Sequence, residues 1–461
     1  MSALWTAADL CTATGGSMAL PFDATGISID TRTLVPGDLF IALVGDVGDG
    51  HDHVAAALAK GAAGAMVHRI PTGIAGDARL LVVGDTFEAL RALGRAGRTR
   101  FGGRVVAVTG SVGKTTSKEM LRAILSAEGE TSAALASLNN HWGVPLTLAR
   151  LPAGAHFAVV EIGMNHAGEI LPLAQMARPH VVLITSIAAV HIGYLGSLEA
   201  IADEKVSIAG GLEPGGMAIL PADTPMLPRM LATAPGARLF GLAATAEARL
   251  VSAEADATGT DVTVALGGTM LRTRLAAPGA HMAMNACGAI LAAAAMGVDP
   301  ARAAAALSGF TPVAGRGARK PIATANGPAL LLDESYNASP IAVRAALKVL
   351  GLQNATRRVV VLGDMRELGE SGPAEHAGLA PDIADVADIV FTCGPLSRHA
   401  YDAVPASLRG AHAPESAALA PIVAAALRAG DAVLVKGSLG SKMKIVVDAI
   451  LANGSRLEET R

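Results

Sequence analysis

The segment VAVTGSVGKTT, residues 106–116, has the residue types and the spacing of a loop that binds phosphate groups. It follows an apolar strand and precedes the helical sequence SKEMLRAIL, which is the context that such a loop requires. Backbone N–H groups there hold phosphate oxygens, the lysine adds a positive charge and the threonine hydroxyl ligates magnesium. Val108 replaces the first glycine of the usual GxxxxGK spacing, which leaves the shorter signature TGxxGKTT. We predict that nucleotide phosphates contact Gly110, Ser111, Val112, Gly113, Lys114, Thr115 and Thr116.

A carboxylate, Glu161, lies at the end of the apolar strand FAVVEIG. Open parallel sheets present ligands at this end of their strands. A carboxylate after so apolar a strand is costly to bury unless it binds a metal ion or accepts hydrogen bonds. We therefore predict that Glu161 and the Thr115 hydroxyl belong to one magnesium site.

The elements that must position these residues are buried strands that alternate with helices. Runs such as DLFIALVG, AGAMVH and LLVVGD predict a small α/β domain over residues 1–100, which ends at the polar break RTRFGGR. Repeated strand and helix signals predict a parallel sheet over residues 101–313, with TDVTVALGG and TMLRTRLAAPG as an antiparallel edge and HMAMNACGAILAAAAMG as a buried helix. After the break TPVAGRGARK, four buried-strand runs predict a third, Rossmann-like α/β domain over residues 314–461.

Composition disfavours several classes of partner. A formal net charge of -3 gives no polybasic footprint for nucleic acid, and small molecules are the expected partners. Apolar stretches such as AILAAAAMGV, from residue 289, stop near ten residues and are too short to span a bilayer. The N-terminal sequence has no basic leader and contains Asp9, so we expect a cytoplasmic protein. Three widely separated cysteines are interpreted as reduced packing residues: Cys11, Cys287 and Cys393.

Further motifs occur in the order that is typical of the Mur ligase family, and the resemblance covers essentially the whole chain. The motifs are SIDTR (28–32), PGDLFIAL (36–43), GDGH (48–51), LNNHWGVPLTL (138–148), EIGMNHAGEI (161–170), HMAMN (281–285), AGRG (314–317), LLDESYNASP (331–340), LGDMRELG (362–369) and VLVKGS (433–438). Together with the phosphate loop, they resemble the branch of the family that adds D-alanyl-D-alanine.

The resemblance implies a role for each matching residue. Contacts with the uridine-linked substrate fall on Ser28, Thr31, Arg32, Asn139 and Asn140, and contacts with the incoming dipeptide on Asn337 and Ser339. For ATP, the resemblance implies that Asn285 contacts the adenine and Arg316 the triphosphate. Asp333 and Glu334 are the implied contacts for the ribose. A second magnesium involves His191 and a carbamylated Lys205, and the catalytic set is Lys114, Glu161, His191, Lys205 and Arg316.

Without the resemblance, several of these residues could have a purely structural role instead of a functional one. Asp30 and Arg32 fit a surface ion pair, the two asparagines fit local turn formers, and His191 fits a core histidine. Lys205 also fits an exposed helix position that pairs with Asp203 or Glu204. The chain further departs from the family motifs at Ser137, Met282, Glu334 and Leu439. The change at Glu334 leaves open whether it or Asp333 meets the ribose.

The activity that the resemblance implies is amide bond formation driven by ATP and Mg²⁺ in peptidoglycan synthesis, and hence in cell wall biogenesis, cell shape and cell division. The implied substrates are a UDP-N-acetylmuramoyl-tripeptide and D-alanyl-D-alanine, handled by a monomer without nucleic acid or membrane partners. Alternatives are a sibling ligase for another amino acid, a folylpolyglutamate synthase-like ligase, or a nonenzymatic nucleotide-binding paralogue. The absence of a DNPR motif disfavours the diaminopimelate-adding sibling.

Overall fold

The structure, a computed structural model, describes residues 3–45, 48–74, 79–134, 137–190 and 192–459. Three sheets follow one another along the chain, each covered by helices, so the predicted α/β class is confirmed. The proposed domain boundaries, after residue 100 and after residue 313, fall between consecutive sheets.

The first sheet is small and mostly parallel, with strand order β1-β5-β4-β3-β2 and only β1 running antiparallel to its neighbour. Its strands are β1 Ser17–Met18, β2 Gly26–Ser28, β3 Asp38–Ile41, β4 Gly64–Val67 and β5 Leu80–Val82. The helices are α1 Ala7–Thr14, α2 Val54–Ala59 and α3 Thr86–Arg100. Its hydrophobic core also includes Leu146 and Ala149 of the next domain, which joins the two domains by buried apolar surface.

The second sheet carries the phosphate loop at the end of one of its inner strands. The order is β14-β13-β12-β11-β10-β9-β6-β8-β7, with parallel pairing from β7 to β12. The parallel strands are β6 Arg104–Thr109, β7 Thr131–Ala133, β8 Phe157–Glu161, β9 Val181–Ile184, β10 Met217–Pro221 and β11 Arg238–Gly241. Because β6, β8 and β9 are buried on both faces, they read as nearly continuous apolar runs.

The antiparallel edge predicted for this sheet is confirmed. It consists of β12 Ala248–Ala255, β13 Thr260–Leu266 and β14 Thr269–Leu275. The predicted buried helix is α10, Ala280–Ala295, which packs in the core beside these strands. The other helices of the middle domain are α4 Lys114–Ser126, α5 Gly143–Ala149, α6 Ile170–Ala177, α7 Ile192–Leu195, α8 Leu198–Val206, α9 Leu227–Thr233 and α11 Pro300–Ala306.

The third sheet has the order β15-β16-β20-β17-β18-β19, with only β15 antiparallel to its neighbour. The strands are β15 Ala318–Thr324, β16 Gly327–Glu334, β17 Arg357–Gly363, β18 Ile389–Cys393, β19 Arg409–Ala413 and β20 Asp431–Lys436. Helices cover both faces: α12 Pro340–Gly351, α13 Gly372–Ala377, α14 Ala380–Ala384, α15 Ser397–Ala403, α16 Ser416–Ala426 and α17 Lys444–Glu459. The four buried strands predicted here are β16, β17, β18 and β20.

Both predicted breaks between domains are shorter in the structure. Helix α3 continues through Arg100, so only residues 101–103 separate it from β6. Strand β15 begins at Ala318, because the polar sequence ARKP pairs with β16 at the edge of the sheet. All three cysteines are free, as predicted. No helix in the described ranges is both long and apolar enough to cross a membrane.

Candidate active site

Two glycines shape the loop between β6 and α4. Gly110 has φ +147° and Gly113 has φ +88°, conformations that residues with a Cβ rarely adopt. A Cβ at Gly113 would lie 2.5 Å from Asn285 Oδ1, so the loop and helix α10 are in direct contact. The predicted adenine residue therefore borders the predicted phosphate loop.

The loop is held in place by polar residues that follow β9. Thr185 Oγ1 donates to the carbonyl of Val112 at 2.5 Å, and the Val112 amide donates to Ser186 Oγ at 3.0 Å. Ser111 Oγ donates to the carbonyl of Ala188 at 2.9 Å. Thr185 and Ser186 are absent from the predicted site. Their signal in the sequence is a polar pair directly after the buried strand that neighbours β6.

Lys114 is half-buried at the first position of α4. Its Nζ donates to the Gly110 carbonyl at 2.7 Å, across the mouth of the loop. Burial lowers the pKa of Lys114, and the nearby Glu161 carboxylate partly opposes that effect. Thr116 lies in the first turn of the same helix and is also half-buried.

Thr115, at the start of α4, and Glu161, at the end of β8, meet as predicted. Glu161 is 1% exposed, and its carboxylate accepts hydrogen bonds from Thr115 Oγ1 at 2.9 Å and Asn139 Nδ2 at 2.7 Å. A buried hydroxyl and carboxylate form an oxygen donor set, which fits a magnesium ion that keeps most of its water ligands. No group of three or more His, Cys, Asp or Glu side chains within the described residues is placed to hold a metal ion.

The two asparagines of the LNNHWG turn have different roles. Asn139 donates to Glu161, whereas Asn140 Oδ1 accepts from the amides of Trp142 and Gly143 and so stabilises the start of α5. The turn-forming alternative thus describes Asn140, and Asn139 lies in the candidate site.

Arg316 approaches this site from the segment that leads into the third domain. Its guanidinium donates to Ser137 Oγ at 2.8 Å, and Ser137 Oγ lies 3.2 Å from Thr115 Oγ1. The guanidinium also lies over the Tyr336 ring, 4.1 Å from its centroid, a cation–π contact. Ser137 therefore links the arginine to the phosphate loop despite departing from the family motif. Tyr336 was not predicted, although it lies inside the SYNASP motif.

Lys205 lies in the last turn of α8 and is only 1% exposed. The predicted alternative of an exposed ion pair is wrong, because Asp203 pairs with Arg229 and the Glu204 carboxylate accepts from the amides of Gly168 and Ile170. Burial lowers the pKa of Lys205 well below its ordinary value, and the charge of Lys114 lowers it further. The predicted partner His191 lies outside the described residues.

The carboxylates of Asp333 and Glu334, in the third domain, accept hydrogen bonds from residues of that domain. Asp333 accepts from the Gly315 amide at 3.1 Å and from Ser335 Oγ at 2.6 Å. Glu334 Oε2 accepts from Lys436 Nζ at 3.0 Å. Lys436, 3% exposed, is therefore a buried partner rather than part of a solvated turn. Among the described residues, neither carboxylate has a hydrogen bond or an ion pair with the phosphate loop.

The two residues predicted to meet the dipeptide lie just beyond these carboxylates. Asn337 is exposed, and its Oδ1 accepts from the Ala338 amide at 2.9 Å. Ser339 is buried before α12, and its Oγ has no hydrogen-bond partner within the described residues.

A cavity of about 1160 Å³ lies between the first and middle domains. Thr31 and Arg32 line it from the first domain, and Leu138 and Trp142 line it beside the asparagine turn. Ser28 is buried next to it, and its hydroxyl donates to the Asp30 carbonyl at 3.0 Å. The ion-pair alternative for Asp30 and Arg32 is present, with a shortest distance of 2.6 Å. Arg32 is nevertheless exposed at the cavity and well placed to meet an anionic ligand.

Comparison with known proteins places the chain in one family along most of its length. Sequence models described as "Mur ligase family, catalytic domain", "Mur ligase middle domain" and "Mur ligase, glutamate ligase domain" match residues 23–89, 108–293 and 319–439, respectively.

The chain is similar over nearly its full length to ligases with one name. It is 36% identical to the UDP-N-acetylmuramoyl-tripeptide--D-alanyl-D-alanine ligase of Escherichia coli (strain K12), over 93% of this chain and 94% of the relative. The Bacillus subtilis (strain 168) protein of the same name is 33% identical, over 92% and 93% of the two chains. A solved UDP-N-acetylmuramoylalanyl-D-glutamyl-2,6-diaminopimelate--D-alanyl-D-alanyl ligase from Acinetobacter baumannii aligns with a TM-score of 0.82 and 31% identity, covering 97% of this chain and 98% of that chain. The chain belongs to the Mur ligase family.

Proposed function

We propose that this protein is the ATP-dependent ligase that joins D-alanyl-D-alanine to a UDP-N-acetylmuramoyl-tripeptide in peptidoglycan synthesis. The names of the full-length relatives support this activity. The observation that carries the proposal is the convergence of Lys114, Thr115 and Glu161 with Arg316, which links a phosphate loop to the next domain.

The chemistry needs an activated carboxylate, because condensing a carboxylate with an amine in water is unfavourable. The terminal carboxylate of the tripeptide attacks the γ-phosphate of ATP, which gives an acyl phosphate and ADP. Lys114 and Arg316 offset the negative charge that develops on the transferred phosphoryl group. Magnesium, when held by Thr115 and Glu161, adds charge neutralisation for the phosphate oxygens.

The second half of the reaction forms the amide bond. The amine of D-alanyl-D-alanine attacks the acyl carbon, and inorganic phosphate leaves the tetrahedral intermediate. An α-amino group has a reference pKa of about 7.7 to 8.0, so an appreciable fraction is neutral without a strong base. The protein therefore acts mainly by positioning its substrates and neutralising charge.

The uridine-linked substrate fits the cavity between the first two domains. Thr31 and Arg32 line the cavity from the first domain, Leu138 and Trp142 line it beside the asparagine turn, and Asn139 of that turn donates to Glu161. In this arrangement, Ser28, Thr31 and Arg32 hold the nucleotide, while Asn139 lies where the tripeptide approaches the γ-phosphate. Asn337 and Ser339 remain the proposed contacts for the dipeptide, and Asn285 remains the proposed adenine contact.

We further propose that Lys205 is carbamylated and, with His191, helps to hold a second magnesium ion. Only a neutral amine reacts with carbon dioxide, and burial beside Lys114 favours the neutral form of Lys205. The carbamate is an anionic oxygen ligand of the kind that magnesium prefers.

We also propose that the protein acts as a monomer in the cytoplasm, without membrane or nucleic-acid partners, and that it serves cell shape and division through the cell wall. Its domains comprise residues 1–100 for the uridine-linked substrate, 101–313 for ATP and 314–461 for ligation. Closure of these domains brings Lys114 and the third-domain residues to one nucleotide.

The decisive experiment is a phosphate-release assay with ATP, Mg²⁺ and UDP-N-acetylmuramoyl-tripeptide, in which the added amine is varied. Release that requires D-alanyl-D-alanine, with an amide product of the combined mass, is the expected result. Release with diaminopimelate, lysine or D-glutamate would identify a sibling ligase, and release with a folate and glutamate would identify a folylpolyglutamate synthase-like enzyme. Nucleotide binding without turnover on any amine would contradict an enzymatic role.

A further inference from the structure

Arg150, which directly follows α5 in the middle domain, reaches across the domain boundary to the first sheet. Its Nε donates to the carbonyl of Ile27, in the edge strand β2, at 2.7 Å. This bond places the guanidinium group beside Ser28, the first residue of the SIDTR motif. Both Arg150 and Ile27 line the cavity of about 1160 Å³. A side chain of the middle domain therefore forms part of the wall of the cavity in which the uridine-linked substrate is proposed to bind.

The terminal nitrogens of Arg150 are free to meet a ligand. Arg150 is half-buried, and among the described residues its Nη1 and Nη2 have no hydrogen bond and no ion pair. Neither nitrogen is a buried atom without a partner, as Nε of Arg100 is. The two nitrogens therefore border open space, and the cavity is the open space that Arg150 lines. Because Nε is bonded to Ile27, the planar group is held in one orientation.

A second arginine at the cavity, Arg32, already has a partner for its charge. The Asp30 carboxylate accepts from Arg32 Nε at 3.0 Å and from Nη2 at 2.6 Å. The acidic neighbour of Arg150 is Asp38, whose charge partly opposes the lowering of the arginine pKa by burial. Asp38 accepts from the Val35 amide at 3.0 Å and, within the described ranges, forms no ion pair with Arg150. Of the two arginines, Arg150 thus has the less compensated charge.

Helix α5 connects Arg150 to the part of the candidate site that contains Glu161. Its 7 residues rise about 1.5 Å each, so the helix spans about 10 Å. The turn before α5 carries Asn139, which donates to Glu161. An extended tripeptide covers a similar length, at roughly 3.3 to 3.6 Å per residue. The spacing therefore suits a substrate whose charged nucleotide end lies at Arg150 and whose terminal carboxylate lies near Glu161.

We propose that Arg150 binds the diphosphate group of the uridine-linked substrate, an inference that rests on the proposed function. Its two terminal nitrogens donate to phosphate oxygens, in the bidentate arrangement that a guanidinium group favours. Because the same group is bonded to Ile27, the diphosphate is held where the first and middle domains meet. The substrate then runs along α5, with its tripeptide directed toward Asn139 and Glu161.

Binding of UDP and of uridine to Arg150→Gln tests this role, because the two probes differ by the diphosphate. Dissociation constants are measured by ligand-observed NMR titrations of the full chain. The affinity for UDP should fall about tenfold or more, the scale for loss of hydrogen bonds to a charged group. The affinity for uridine should change by less than about twofold, since uridine has no phosphate to lose contact with. An unchanged UDP affinity, or an equal loss for UDP and uridine, would overturn the inference.

Arg100→Gln is the matched control for a weakened domain boundary. Arg100, at the end of α3, donates to the Leu151 carbonyl of the middle domain at 3.2 Å. It is not among the described residues that line the cavity. The ratio of UDP affinity to uridine affinity should therefore stay as in the wild type. A ratio that falls as far as in Arg150→Gln would assign Arg150 a structural role at the boundary and would also overturn the inference.

Arg150→Lys separates the bidentate contact from the charge alone, and it replaces the glutamine variant if thermal denaturation shows that the latter does not fold. Lysine keeps the positive charge but lacks the planar fork, so UDP should bind about threefold or more weakly, with uridine binding unchanged. The KM for the uridine-linked tripeptide should rise by a similar factor, and the KM for ATP should not change. Wild-type affinity for UDP in this variant would contradict the bidentate contact. A wild type that binds neither UDP nor the uridine-linked tripeptide would instead refute the proposed function.

Discussion

The ends of β8 and β16 both carry a carboxylate after a buried apolar strand, yet the two carboxylates are used differently. Glu161, after β8, accepts from the side chains of Thr115 and Asn139, which belong to other motifs of the candidate site. Asp333, near the end of β16, accepts from the Gly315 amide and from Ser335 in its own turn. The same sequence signal therefore occurs in the candidate site of one sheet, and in the other at a carboxylate that holds the backbone of the segment around Gly315 in place.

The largest effect is expected at the phosphate loop. Lys114→Ala should reduce ligation by about 10²- to 10³-fold or more, because a charge that stabilises the transferred phosphoryl group is lost. The melting temperature should change little, since Lys114 Nζ bonds only to carbonyls of its own loop among the described residues. Lys348→Ala, which removes an exposed lysine on α12, is the control and should retain activity. More than about a tenth of wild-type turnover in Lys114→Ala would contradict the assignment.

A smaller loss, about 10- to 100-fold, is expected for Lys205→Ala, the scale seen when a group that organises a metal ion is removed. Added short-chain carboxylic acids should restore part of the activity by occupying the position of the carbamate oxygens. Mass spectrometry of the native protein should show one added carbon dioxide on Lys205. Full activity of the alanine variant at ordinary magnesium concentrations would reject carbamylation.

The hydrogen bonds of Asp333 should contribute to the stability of the folded protein. Asp333→Asn weakens hydrogen bonds to a buried carboxylate, and the free energy of unfolding should fall by about 1.5 to 3 kcal/mol. Glu161→Gln should instead lower the ligation rate, by no more than Lys114→Ala does, with a smaller loss of stability. Denaturation curves and ligation rates of both variants measure the contrast. Equal destabilisation by the two substitutions would remove the distinction drawn between the two strand ends.

The smallest effect concerns His376, which supports the loop of residues 364–371. Its Nε2 accepts from the Met365 amide at 2.9 Å and its Nδ1 donates to the Gly372 carbonyl at 2.7 Å, so the buried ring is neutral. Burial lowers the pKa of His376. Below a pH of about 6.5 the unfolded chain binds a proton that the folded chain does not, so stability falls with pH by at most about 1.4 kcal/mol per unit.

Replacing this histidine should remove its share of the pH dependence. The stability gap between the wild type and His376→Gln should therefore narrow between pH 7.5 and pH 5.5, as measured by denaturation midpoints. A gap that stays constant over this range would show that His376 does not carry the effect.

Much of the fold follows from the sequence because buried parallel strands are apolar throughout. Strands such as β6, β8, β9 and β20 lie inside their sheets and are recognisable without any partner. Strand β15 was missed, since it carries Arg319, Lys320 and Pro321 and exists because β16 pairs with it. Strand β1 has two residues, too few for a pattern to emerge.

The candidate site is predictable where a residue lies at a strand end or in a recognisable loop motif, as Glu161 and Thr115 illustrate, respectively. Contacts that cross domains were harder to foresee, because they depend on how separate units dock. The hydrogen bond from Arg316 to Ser137 and the approach of Glu367 to Gly193 are of this kind. Neither depends on a local pattern, so no spacing rule indicates them.

Glu204 determines the rotation of α8 about its own axis. Its carboxylate accepts from the amides of Gly168 and Ile170, and these hydrogen bonds fix the direction in which the Glu204 side chain leaves the helix. The side chain of the next residue, Lys205, therefore points about 100° away around the helix axis. That direction is the one in which Lys205 is buried beside Lys114. A small rotation of α8 about its axis would move the Lys205 side chain away from the phosphate loop. The hydrogen bonds of Glu204 therefore determine the orientation of Lys205.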